Sequence, residues 1–138
     1  MYIDTSCLAA YYLPELHSKR VQEVIQSAGD VYVSHLTDLE FLSAIKKKQR
    51  MKEMDAVLSD QVYLLYSEHR NNGLYRLADL TPKVFKASEI LLQTTKTSLR
   101  TLDAIHLGVA YEYKLKLFSF DDVMLKAANE CNIKTLDY

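Results

Sequence analysis

Cysteine is scarce in this chain: Cys7 and Cys131, near opposite ends of 138 residues, are the only two. That excludes a disulfide framework. It also excludes a structural zinc site, which needs several Cys and His side chains at close spacing. Both cysteines sit in apolar surroundings and read as small core residues. Three glycines and two prolines leave no room for a flexible linker, and neither repeats nor low-complexity segments occur. Charge of one sign is lacking too, since 17 basic and 18 acidic residues nearly cancel to −1. A surface that binds nucleic acid all over is thereby excluded, and any such contact must use a local basic patch. No apolar run approaches the roughly 20 residues of a membrane helix. An acid arrives at once in Met1-Tyr2-Ile3-Asp4, so a signal peptide is not expected, and a cytoplasmic protein is.

What is present fits one domain over residues 1–138, large enough to bury roughly two-thirds of its unfolded surface. A strand stub at Tyr2-Ile3 leads to a helix over about Cys7 to Leu13, stopped by Pro14. Val21, Val24, Ile25 and Ala28 recur at helical spacing, which predicts a helix over Ser18 to Ala28. Val31 to Val33 reads as a strand. A helix follows Ser34 to Thr37, with Leu39, Leu42 and Ile45 on one face, and ends in a basic run. Further helices are expected over Met54 to Arg70, from Pro82 to Thr94, over Thr101 to Tyr113 with Leu102, Ile105, Val109 and Ala110 inward, and over Val123 to Cys131. Strands are expected at Tyr75 to Leu80, Leu115 to Phe120 and Ile133 to Leu136. Strands alternating with helices imply an α/β fold: a short-stranded, mainly parallel sheet between two helical layers.

Ligands of open parallel sheets bind beyond the carboxyl ends of the strands. Asp4 follows the first strand, Asp121 follows the Leu115 to Phe120 strand, and Glu40 and Asp103 fall in first turns of helices. At least three of these acids can converge on one sheet edge. Clustered carboxylates repel one another, and a divalent cation removes that conflict. Mg²⁺ takes a few carboxylates and keeps several waters, one of which can serve as a nucleophile on a phosphate. The structural alternative is that the same acids cap helices. Thr37-Asp38-Leu39-Glu40 has the form of a capping box, and Asp121 or Asp122 can cap the last helix.

Four segments, in order along the chain, resemble the PIN-domain family, specifically VapC-type toxins. They are Tyr2-Ile3-Asp4-Thr5-Ser6-Cys7-Leu8, Ser34 to Ala44 around Glu40, Leu99-Arg100-Thr101-Leu102-Asp103-Ala104-Ile105-His106-Leu107-Gly108-Val109-Ala110, and Leu117-Phe118-Ser119-Phe120-Asp121. The third is the most specific. Ser119 stands where threonine is commoner, and Asp122 beside Asp121 leaves two candidates for the fourth acid. The resemblance implies that Asp4, Glu40, Asp103 and Asp121 are catalytic and hold Mg²⁺ or Mn²⁺, with Ser6 supporting the site. It implies an endoribonuclease using a metal-activated water and leaving 5′-phosphate and 3′-hydroxyl ends. It also implies a cognate antitoxin and pairing of the chain with itself.

Other residues carry weaker signals. His106, three residues after Asp103, reads as a packed, hydrogen-bonded histidine. The run Lys46, Lys47, Lys48, Arg50 and Lys52 is either a solvated face or a phosphate grip leading from Glu40, and Arg100 could meet substrate or a nearby acid. Tyr11, Tyr12, Tyr63 and Tyr66 read as core or interface residues. The rival is a non-catalytic PIN-like module that binds RNA or protein. A receiver-like phosphoacceptor domain is disfavoured, because its usual lysine after a late strand is not evident.

Overall fold

Four strands of only two residues each carry the sheet, in the order β3-β2-β1-β4, and every pairing is parallel. The computed structural model describes residues 1–14 and 16–136. Along the chain these are β1 (Tyr2–Ile3), α1 (Thr5–Tyr12), α2 (Ser18–Ser27), β2 (Tyr32–Val33), α3 (His35–Arg50), α4 (Ala56–Asn71), β3 (Arg76–Leu77), α5 (Pro82–Thr94), α6 (Thr101–Glu112), β4 (Leu117–Phe118) and α7 (Asp122–Glu130). Register pairs Tyr2 with both Tyr32 and Leu117, and Ile3 with Phe118.

Two residues per strand suffice because the strands lie between two cores, although β3, at the edge of the sheet, carries the exposed Arg76. Ile3, Val33 and Phe118 point into one core, with Leu8, Phe41, Ile45 and Tyr66 from the first four helices. Tyr2 and Leu117, one step out of phase, point into the other, with Val84, Leu107 and Met124 from the last three. The chain is therefore helix, sheet, helix in three layers, and all strands finish on one edge. At that edge lie Asp4, Ser34 and Ser119, the residues next after β1, β2 and β4.

Helix ends mostly follow their chemistry. Asp4, Asp55, Thr81 and Asp121 cap α1, α4, α5 and α7 with their side chains, and Pro82 opens α5. The capping box of α3, however, is Ser34 with Thr37, not Thr37 with Glu40. Because β2 ends at Val33, Ser34 is the first residue free to cap, and Glu40 falls in the second turn rather than the first. The buried face of the helix runs through Leu36, Phe41 and Ile45, and Leu39, expected inward, is 67% exposed. In α6 the buried face runs through Ala104, Leu107 and Gly108, and Leu102 is 47% exposed. The expected last strand reduces to one bridge, Thr135 to Leu117. Cys7 is buried, whereas Cys131 lies at the core margin. Of the tyrosines, Tyr12, Tyr66 and Tyr75 cluster with Phe41 in the core, and the Phe41 and Tyr66 rings are 5.0 Å apart. Among the described residues, no helix is long and apolar enough to cross a membrane.

Candidate active site

Asp4, Glu40, Asp103 and Asp121 all line one pocket of about 350 Å³ at the carboxyl edge of the sheet. They arrive there by four routes: the end of β1, the second turn of α3, the first turn of α6 and the turn after β4. Thr5, Ser6 and Ser43 supply hydroxyls to its wall, and Leu102 and Met124 supply its apolar rim. Asp121 lines the pocket and Asp122 does not.

Each acid is also used by its own chain. Asp4, 2% exposed, accepts from the Cys7 backbone N–H at 2.8 Å and from the Ser6 hydroxyl at 2.8 and 2.9 Å. The buried Ser119 hydroxyl donates to its other oxygen and accepts from the Asp121 backbone N–H at 3.0 Å, linking two of the acids. Asp121 accepts from the Met124 N–H at 2.9 Å, and Asp103 from the Arg100 N–H at 3.2 Å. Glu40 accepts from the Thr5 hydroxyl and from His106 Nε2, the latter at 2.7 Å. Capping and pocket-lining are thus joint roles of the same side chains.

The electrostatics differ among them. Burial pushes the Asp103 carboxyl above its ordinary value, and the charge of Asp121 adds to this against the Arg100 hydrogen bond. Burial also pushes Glu40 upward, but the hydrogen bonds from His106 and Thr5 outweigh it and hold Glu40 below the usual carboxylate value. Burial and then the Asp4 charge raise the Cys7 thiol, which keeps it protonated.

Four carboxylates with no lysine or arginine among the residues lining the pocket form a hard, all-oxygen donor set, which suits Mg²⁺ or Mn²⁺. Among the described residues no three metal-ligating side chains are gathered closely enough to hold an ion between them. The match to a divalent cation therefore lies in donor chemistry and uncompensated negative charge.

Of the remaining expected residues, Ser6 lines the pocket. Arg100 is exposed and caps α6 through its backbone. Lys46 is held by Gln49 at 3.2 Å and Asp60 at 3.5 Å, and Lys48 by Glu53 at 3.4 Å. Lys47 is exposed and lies seven residues past Glu40 and four past Ser43, two turns and one turn along the same helix face. Thr5 and Ser43 were not legible as site residues, although Thr5 stands beside Asp4. The polar role of Tyr2 was hidden by its apolar strand. His106 is a buried, hydrogen-bonded histidine as its position suggested, but its partners could not be read from spacing.

The PIN domain model matches residues 1–130. None of the curated proteins matches. Among solved structures, FitAcB from Neisseria gonorrhoeae superposes with a TM-score of 0.76 at 16% identity, covering 99% of this chain and 96% of that one. VapC20 of Mycobacterium tuberculosis, described as a sarcin–ricin loop cleaving toxin, gives 0.72 at 16% identity over 91% and 93%. A toxin–antitoxin complex from Klebsiella pneumoniae gives 0.62 at 18% identity over 87% and 85%. At these identities the likeness speaks to fold.

Proposed function

We propose, from the premise that the chain belongs to the PIN-domain family, that it is a divalent-metal-dependent endoribonuclease and the toxin of a toxin–antitoxin pair. The observation that carries the reading is the convergence of Asp4, Glu40, Asp103 and Asp121, from four separate elements, on one pocket. These four acids would hold Mg²⁺ or Mn²⁺. A divalent cation bound among such carboxylates supplies Lewis acidity toward a phosphate and a more acidic water.

The chain's own groups do the rest. Ser6, Cys7 and Ser119 fix the Asp4 carboxylate, and Thr5 with His106 fixes Glu40 in its charged form. The apolar rim of Leu102 and Met124 gives a nucleotide a surface to lie on. Lys47, on the Glu40 and Ser43 face of α3, supplies a cation for a flanking phosphate, and the exposed Arg100, whose backbone N–H donates to Asp103, is a second candidate cation. Products would carry 5′-phosphate and 3′-hydroxyl ends.

Exposed Val57, Leu58, Leu64 and Leu65 on α4, with Phe85 and Ile90 on α5, support assembly with a second copy and with an antitoxin. One similar structure is described as a toxin–antitoxin complex. The test is cleavage of total cellular RNA by the purified chain with Mg²⁺ or Mn²⁺. EDTA and Asp103→Asn should each abolish cleavage, with added metal restoring only the EDTA-treated parent. Full cleavage by Asp103→Asn, or cleavage indifferent to EDTA, would refute the reading.

A further inference from the structure

From the core to the pocket wall, which His106 helps to line, a line of hydrogen bonds ends on Glu40. His106 is 2% exposed and Tyr2 is fully buried. His106 Nε2 lies 2.7 Å from Glu40 Oε2, and Nδ1 lies 2.6 Å from the Tyr2 hydroxyl. The Tyr2 hydroxyl in turn is 2.9 Å from Ser34 Oγ and 3.3 Å from Thr37 Oγ1, in the capping box that starts the helix carrying Glu40. Chemistry sets the direction of the chain. A carboxylate only accepts, so Nε2 carries its hydrogen; the neutral ring then accepts at Nδ1, and the phenol donates to it. With its hydrogen given to Nδ1, the Tyr2 oxygen accepts from the hydroxyls of Ser34 and Thr37. One strand and two helices are thereby tied to one carboxylate, and the ring is fixed at both nitrogens.

Resting on the nuclease reading above, we propose that His106 is a positioning residue that fixes Glu40 for metal binding, and that Tyr2 sets the tautomer and orientation of His106 from inside the core. Tyr2 is not among the residues that line the pocket. Its hydroxyl therefore acts on the site only through its hydrogen-bonded neighbours, and His106 is the one that touches both Tyr2 and Glu40. Partners that orient a metal-binding side chain typically alter metal affinity by about 10–100-fold when removed.

The experiment titrates Mn²⁺ into the purified chain, following the signal of free Mn²⁺ by electron paramagnetic resonance. The variants are His106→Ala, His106→Gln, Tyr2→Phe and the double variant Tyr2→Phe/His106→Ala, with Asp103→Asn as control and RNA cleavage measured in parallel. His106→Ala should weaken Mn²⁺ binding by about 10–100-fold. His106→Gln, whose side-chain amide can still donate to Glu40, should recover most of that loss. Tyr2→Phe keeps the ring and removes only the hydroxyl; it should weaken binding severalfold in the parent and have no further effect when His106 is already alanine. Unchanged Mn²⁺ affinity in His106→Ala and Tyr2→Phe, with only their melting temperatures lowered, overturns the proposal. So does a Tyr2→Phe effect that persists undiminished in the alanine background. If His106→Ala does not fold, Tyr2→Phe decides alone: weaker binding than the parent's supports the proposal, and parent-like binding overturns it. Parent-like Mn²⁺ binding by Asp103→Asn would instead overturn the nuclease reading, and this inference with it. Loss in Asp103→Asn alone removes only the positioning role.

Discussion

Replacing Asp4 or Asp103 by asparagine removes one charge from the same pocket, yet the two changes should move stability in opposite directions. Asparagine caps helices as well as aspartate, so the bond from the Cys7 N–H to Asp4 Oδ1 survives Asp4→Asn. Oδ2 is different, because it accepts the hydroxyls of Ser6 and Ser119 and an amide nitrogen cannot accept. Ser6 is exposed and can turn to water. Ser119 is fully buried, and its hydroxyl is left without an acceptor. A buried unsatisfied group costs about 1–3 kcal/mol, which for a chain of this size lowers the melting temperature by roughly 3–10 °C. Relief of the buried charge offsets part of that. Among the described residues Asp103 accepts only the Arg100 N–H, for which an asparagine carbonyl can serve as acceptor. Burial and the Asp121 charge raise its pKa, so the folded chain holds that proton more tightly than the unfolded chain does. Stability from this group therefore falls as pH rises from the ordinary aspartate value through the raised one. Asp103→Asn removes the penalty, so it should melt at or above the parent at pH 7. That advantage should vanish below about pH 4, near the ordinary aspartate value, where both chains are neutral at that position. The assay is thermal melting by circular dichroism in EDTA at pH 7 and at acid pH. Asp4→Asn melting at or above the parent, or Asp103→Asn melting well below it, would refute this account of the pocket.

Two further outcomes follow from the packing and the charge. A Cβ added at Gly108 would collide with the Ser88 hydroxyl and come within 2.7 Å of the Val84 carbonyl oxygen, so Gly108→Ala should lower stability in urea by about 1–3 kcal/mol despite alanine's better helix propensity, and adding Ser88→Ala should restore only part because the carbonyl remains. Lys47→Ala should weaken RNA binding and flatten its salt dependence by about one unit of slope, while Lys46→Ala, whose ammonium is held by Gln49 and Asp60, should do neither; equal effects would remove the assignment of the α3 face as the RNA track.

Much of the architecture was legible because short-range rules decide it. The strand stub at Tyr2-Ile3, the proline and threonine opening α5, and the alternation of strand with helix declare themselves in local order, whereas the strands expected over Tyr75 to Leu80 and Leu115 to Phe120 shrink to Arg76–Leu77 and Leu117–Phe118. Asp4, Asp103 and Asp121 stand out in the sequence because each lies at or beside an element boundary, whereas Glu40 lies a turn inside α3. Boundary chemistry misled where two hydroxyls competed: Ser34 and Thr37 could both start α3, and the end of β2 chose Ser34, which put Glu40 a turn deeper. Other contacts depend on distances that spacing cannot encode. Tyr2, Glu40 and His106 belong to three elements, and their hydrogen bonds span 104 and 66 residues of sequence. Sequence alone determined the kind and order of the main elements, since that follows from hydrophobic period and caps, while the strand ends moved inward. Only the packing of α3 and α6 against β1 decided that a histidine would stand between a buried phenol and a carboxylate, because that depends on how two helical layers meet across the sheet.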